Sequence, residues 1–153
     1  MDAKIEIFIC YAHKDELLLN ELLVYLGGLQ RQGLFNIWYD RKILAGKEWP
    51  QEIDKHLKTA SIILLLVSQH FMNSDYCYLT EMTQAIERHR QGSAHIIPII
   101  LRPVYWRKAP FAKIQALPAD GKPVVSWQNL DEAFFNVAEG IRMTIEEVAA
   151  SNF

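Results

Sequence analysis

A chain of 153 residues fits a single domain on the usual scale of ~100–200 residues per domain. Half of it is hydrophobic, 22% is charged, and seven glycines and six prolines are too few for a disordered or collagenous polymer. Sixteen basic residues against 18 acidic give a net charge of −2, so no overall basic field exists to recruit nucleic acid or an anionic membrane. Cys10 and Cys77 lie far apart, without metal-ligand spacing, a usage that fits a reducing cytoplasm and offers no metal site. The first residues, Met1 to Glu6, lack the basic and apolar regions of a signal peptide, and the longest apolar run, Ile62 to Val67, is too short to span a bilayer. The expectation is one soluble, cytoplasmic domain over residues 1–153, with no membrane and no nucleic-acid partner.

Taken in order, apolar runs alternate with amphipathic stretches. Lys4 to Tyr11 opens with Ile5, Ile7 and Ile9 in alternation, a strand pattern. Asp15 to Gln32 repeats Leu18, Leu22, Tyr25, Leu26 and Leu29 at helical spacing, with Gly33 to end it. The Gly27-Gly28 pair, at ~1 kcal/mol per glycine, predicts that this helix is bent or interrupted. Leu34 to Tyr39 is a second short strand, and Asp40 to Lys47 a charged loop with Gly46. Trp49 to Lys58 is a short helix with Pro50 tolerated in its first turn. Ser61 to Val67 has the unbroken apolar run of a parallel strand covered on both faces.

Ser74 is placed to cap a helix from Asp75 to about Arg90, with Leu79, Met82 and Ile86 on its core face. His95 to Leu101 is a fourth strand, in which Pro98 removes a ladder donor and requires a bulge or one unpaired side. Residues 102–123 hold four of the six prolines and form a long loop. Val124 to Trp127 is read as a fifth strand, and Asn129 with Glu132 as the capping box of a last helix carrying Phe134, Val137, Ala138, Ile141 and Ile145 on one stripe.

Five strands joined by helical crossovers imply an α/β, flavodoxin-like parallel sheet of order 2-1-3-4-5 with helices on both faces. In such a sheet the ligand crevice lies beyond the carboxyl ends of strands one and three, here Ala12 to Asp15 and Ser68 to Ser74. Other users of this fold are excluded by what those segments lack. Strand three ends Leu66-Val67-Ser68, without the aspartate that a phospho-accepting receiver needs. Ala12-His13-Lys14-Asp15 has no glycine, serine or threonine to cradle a flavin phosphate. Ala45-Gly46-Lys47-Glu48 lacks the first glycine and the hydroxyl of a Walker A loop.

Three segments in this order carry a resemblance. Ile7 to Glu16 (IFICYAHKDE), Asp40 to Gly46 followed by Trp49, and Ser74 to Met82 (SDYCYLTEM) resemble the first box, the BB loop and the third helix of Toll/interleukin-receptor (TIR) domains. The similarity extends to Ile97-Pro98-Ile99-Ile100 and to the Phe134 to Ile141 helix, and it is strongest towards the bacterial, NAD-cleaving branch. It implies an NAD+ glycohydrolase or ADP-ribosyl cyclase, activated by self-association in signalling of the anti-phage type. NAD+ would be substrate, with no separate cofactor, and a sensor or effector domain would lie elsewhere in a longer protein. The resemblance puts the catalytic carboxylate at Glu81 and the nucleotide pocket at Ala12, His13, Asp40, Ile43, Gly46 and Trp49. It also implies an aromatic residue four positions before the glutamate; here that position is Cys77, with Tyr76 one step earlier, and either Tyr76 or Trp49 alone supplies the stacking ring.

Each of these residues also has a plainer reading. By spacing alone Glu81 lies about a quarter-turn off the Leu79, Met82 and Ile86 stripe, as a solvated glutamate does. Trp49 fits a helix-start anchor, Cys77 a small buried residue, His13 a loop histidine and Asp40 a turn residue. His56, His70, His89 and His95 show no paired ligand spacing and read as surface or packing residues. The loop carrying Arg102, Arg107, Lys108, Lys113 and Lys122 among Tyr105, Trp106 and Phe111 is either solvated or a subunit-contact surface. Two rivals to the enzyme remain: a non-catalytic TIR–TIR interaction module, and a nucleotide sensor without turnover.

Overall fold

A computed structural model describes residues 5–40 and 49–151. Four parallel strands form one sheet in the order β2-β1-β3-β4: β1 (Ile5–Cys10), β2 (Phe35–Trp38), β3 (Ile62–Val67) and β4 (His95–Ile100). The alternation read in the sequence sets the register, pairing Ile7 of β1 with Ile37 of β2 and Ile62 of β3. Around the sheet lie α1 (Glu16–Gln30), α2 (Trp49–Thr59), α3 (Gln69–Asn73), α4 (Met82–Arg90) and α5 (Leu130–Ser151), with a single π-helical turn over Tyr76–Glu81 running into α4.

Period two divides the core in two. Ile5, Ile7 and Ile9 join Leu19, Leu22, Leu26, Phe134, Val137 and Ile141 beneath α1 and α5. Phe8 and Cys10 face the other way, among Ile53 and Leu57 of α2 and Met82 and Ile86 of α4. Helices thus cover both faces, as parallel strands with unbroken apolar runs require. Every residue of β3 is buried. The carboxyl ends of α2 and α4 are tied by Arg88, which donates to the Leu57, Ala60 and Ser93 carbonyl oxygens and so satisfies acceptors that a helix end leaves open.

Two expectations need correction. Val124–Ser126 is a 3-10 turn rather than a fifth strand. At the outer edge of β4 a single residue, Leu117, makes a parallel bridge with Ile99, its N–H donating to Pro98 O and its carbonyl accepting from Ile100 N. The even-numbered residues of β4 face this edge, so the donor missing at Pro98 is missing there, and Pro118 and Pro123 remove further donors from the segment that would have paired. Pro98 therefore needs no bulge, because its unpaired side is the edge.

The Gly27-Gly28 pair does not interrupt α1, which runs continuously from Glu16 to Gln30; Gly33, at φ +76°, follows its end. A Cβ at either Gly27 or Gly28 meets no atom within 4 Å. The glycines are therefore tolerated rather than required. Gly27→Ala and Gly28→Ala are each expected to stabilise the chain by about 0.5–1 kcal/mol, read as an increased urea midpoint at unchanged slope.

Candidate active site

The carboxyl ends of the strands are organised by one buried acid. Asp15, at the close of a 3-10 turn over His13–Asp15, is 1% exposed. Its carboxylate accepts from Ser68 Oγ, just past β3, and from Arg102 Nε at 2.9 Å, just past β4. Ser68 also caps α3, its Oγ accepting from Phe71 N at 3.1 Å. The loops after β1, β3 and β4 are thus joined at one point. A cavity of about 740 Å³ opens beside them, within the size range of small-molecule sites.

Ala12, His13, Asp40, Trp49, Tyr76, Cys77 and Glu81 all line this cavity. Ile43 and Gly46 lie outside the described residues. Tyr11, Lys14, Ile53, His70, Asn73 and Ser74 complete the lining. Lys14, His70, Asn73 and Ser74 belong to the two segments that the strand order marked as the crevice. His70, read as a surface or packing histidine, is exposed and borders the cavity, a role its lone spacing could not signal. Ile53 could not be singled out because its apolar spacing fits any core helix position.

Glu81 departs most from its sequence reading. It is 6% exposed, whereas Leu79, assigned to the core stripe, is 61% exposed; Met82 and Ile86 are buried as expected. The cause is the π-helical turn. Ser74 caps it, accepting from Cys77 N at 3.2 Å, and the Met82 N–H then donates five residues back, to Cys77 O. The wider turn shifts the phase of the side chains that precede α4, so Leu79 swings outward while Cys77 and Glu81 turn toward the sheet.

Inside, Glu81 meets the last residue of β1. Cys10 Sγ donates to Glu81 Oε1 at 3.2 Å, and Cys77 Sγ donates to Tyr11 O at 3.3 Å. Burial, and next the Cys77 sulfur, push the Glu81 carboxyl well above the usual carboxylate range. Burial also raises the Cys10 thiol. Cys77 moves the other way, down to about 7: the neighbouring Cys10 side chain is the largest cause and outweighs the desolvation of Cys77, and the Ser74 hydroxyl adds to the lowering.

The rest of the lining named above is mostly aromatic and polar. Trp49 and Tyr76 meet edge-to-face with ring centroids 5.0 Å apart, so the two candidate stacking rings form one surface. Trp49 is half exposed, not a buried anchor. His13 Nε2 and Asp40 Oδ2 are 2.5 Å apart, joining the first loop to the end of β2. Asp40 Oδ1 is buried and has no hydrogen-bond partner among the described residues. In the loop after β4, Tyr105 is fully exposed and Arg107 lies 4.8 Å over the Trp106 ring, while Phe111 is buried in the core and is no part of a solvated surface.

Comparison with known proteins gives a consistent answer. A family model described as TIR domain matches residues 7–133. The chain is 50% identical over 136 residues to the uncharacterized protein y4lF of Sinorhizobium fredii (strain NBRC 101917 / NGR234), a match over 89% of this chain and 42% of that protein. The chain therefore spans less than half the length of this relative. In structure it is similar to the TIR domain of the Toll-related receptor TRR-2 of Hydra magnipapillata, at TM-score 0.61 and 19% identity, covering 89% of this chain and 97% of that one. It is also similar to the TIR domains of the activated Roq1 resistosome directly recognizing the pathogen effector XopQ, at TM-score 0.50 and 18% identity, over 63% and 57% of the two chains. The family match over most of the chain accords with the four-stranded parallel sheet and its two helical layers: the chain belongs to the TIR domain family.

Proposed function

We propose that this TIR domain is an NAD+ glycohydrolase, with Glu81 as its catalytic carboxylate and with activity that depends on self-association. The observation that carries the reading is a buried carboxylate opening on a nucleotide-sized cavity beside an aromatic surface. The reaction asks for little else. Nicotinamide leaves a pyridinium as a neutral molecule, so no general acid has to protonate it, unlike the leaving oxygen of an ordinary glycoside. As the C–N bond breaks, its electron pair goes to nicotinamide and positive charge develops on the ribosyl carbon. A carboxylate held in a dry site stabilises that charge more than a solvated one does. Water then adds to the carbon and releases a proton, giving ADP-ribose; attack by a hydroxyl or ring nitrogen of the same molecule gives a cyclic isomer.

The remaining cavity residues take supporting roles. Trp49 and Tyr76 offer ring faces and edges to a base. Lys14 and His13 stand at the first loop, where a pyrophosphate would find donors, and Asp40 pairs with His13 there. NAD+ enters as substrate, and this chemistry needs no further cofactor. Exposed apolar side chains, Leu17 and Val24 of α1, Phe135 and Met143 of α5 and Tyr105, supply surface for contact between copies. The longer length of y4lF fits a module fused to a sensor or effector part, in a cytoplasmic signalling or defence protein. Among the described residues no helix is long and apolar enough to cross a membrane.

Nicotinamide release by the purified chain should rise faster than linearly with protein concentration and fall at least ~100-fold in Glu81→Gln. Release that survives the substitution overturns the catalytic assignment, and silence of the clustered chain favours the interaction module. Trp49→Ala should raise KM by about tenfold with a smaller change in kcat, the loss of one stacking contact.

The same burial predicts an effect on stability. Unfolded, the Glu81 carboxyl ionises at ~4.3; folded, it does so only at higher pH. Between those values the folded state holds the extra proton, so the contribution to stability is present at low pH and is lost as pH rises through the folded value. Glu81→Gln should therefore melt above the parent at neutral pH, with the advantage vanishing below about pH 4. The acid limb of the parent's rate profile should lie above the ordinary carboxylate range.

A further inference from the structure

Cys10 and Cys77, 67 positions apart in sequence, come together because β1 ends on the face of the sheet where the π-helical turn lies. One ligand atom from each of Cys10, Cys77 and Glu81 lies within 4.8 Å of the others, and all three residues are buried. The Cys10 Sγ to Glu81 Oε1 separation is 3.2 Å. Around a tetrahedral ion with zinc–sulfur bonds of about 2.3 Å, donor atoms lie roughly 3.5–3.8 Å apart, so the three groups need move by no more than about an ångström. Two sulfurs and one carboxylate make a donor set that selects a thiophilic, zinc-like ion over magnesium or calcium. Cys77 and Glu81 both line the cavity, whereas Cys10 closes the site from below.

We infer that Cys10, Cys77 and Glu81 form a binding site for one zinc-like divalent cation, with its fourth position open to the cavity. Three protein ligands with one open position are the arrangement of an accessible zinc site rather than of a closed structural one. Binding releases to solvent the protons that the two thiols and the Glu81 carboxyl hold, and joins both thiolates and the carboxylate to the ion, so affinity rises with pH. The consequence for catalysis rests on the reading of Glu81 given above: a carboxylate bound to the ion is withdrawn from the ribosyl carbon, and the cation repels the pyridinium of NAD+. The ion is therefore an inhibitor, and the site makes the enzyme sensitive to free zinc.

The test uses cobalt(II), whose spectrum reports its ligands, added to the 153-residue chain under reducing conditions. One equivalent should bind with a thiolate-to-cobalt charge-transfer band and tetrahedral d–d bands, both bleached by zinc. Cys77→Ala and Cys10→Ala should each lose at least ~100-fold in affinity, while Glu81→Gln keeps the thiolate band and binds more weakly. Zinc should raise the melting temperature of the parent and not of the double alanine variant, a readout that also shows whether the variants fold. Absence of a thiolate band in the parent, or its survival in the folded double variant, overturns the site. Nicotinamide release measured alongside separates the two readings. Metal binding without NAD+ cleavage leaves the site standing and removes the enzyme, whereas Glu81-dependent cleavage that zinc leaves unchanged, in a chain that shows the thiolate band, overturns the inhibition.

Discussion

The loops beside the cavity are joined by one carboxylate that almost no water reaches. Asp15 draws a hydroxyl from beyond β3 and a guanidinium from beyond β4 to the end of β1, so three loops that share no sequence neighbourhood are held at a common origin. A buried anion is tolerable only when its lone pairs are occupied, and here Ser68 takes one oxygen and Arg102 the other. The arrangement is directional. It fixes where α3 begins, because the same Ser68 oxygen caps that helix, and α3 in turn sets the height at which the chain enters the π-helical turn. Glu81 therefore inherits its position from an acid 66 residues earlier.

The π-helical turn is the second determinant. An α-helical path from Ser74 would have left Leu79 on the core side and Glu81 in solvent, a more comfortable arrangement for both side chains. The observed path instead exposes a leucine and buries a carboxyl beside two sulfurs. Local preference has yielded to placement, a pattern common where a site rather than a core is being built. The electrostatic result is a carboxyl and a thiol whose proton affinities are displaced in opposite directions within one small cluster.

Much of this was legible in the residues. Alternation placed β1, an unbroken apolar run placed β3 and short apolar runs placed β2 and β4, because a parallel strand covered by helices must be apolar where they pack on it. Ser74 and Asn129 announced their caps, and both side chains accept the expected backbone N–H, Cys77 and Glu132 respectively. The strand order then located the crevice before any motif was considered, and seven of the proposed pocket residues lie around it. What stayed hidden depended on groups distant in sequence or on a change of helical pitch. The phase of Glu81 needed the π-helical turn, which periodicity at 3.6 residues does not encode. The meeting of Cys10 and Cys77 needed the register of β1 against that turn. The missing fifth strand needed to know which way the Pro98 nitrogen faced, although the proline itself stood in plain view.

That proline has a further effect at the margin of the sheet. An outer strand with a full row of donors and acceptors is a template on which any extended peptide can grow. On β4 the row is broken at Pro98, and Leu117 occupies the neighbouring groups. This margin therefore offers no continuous ladder to an invading backbone. Any contact made there rests on the shapes and charges of side chains rather than on backbone pairing.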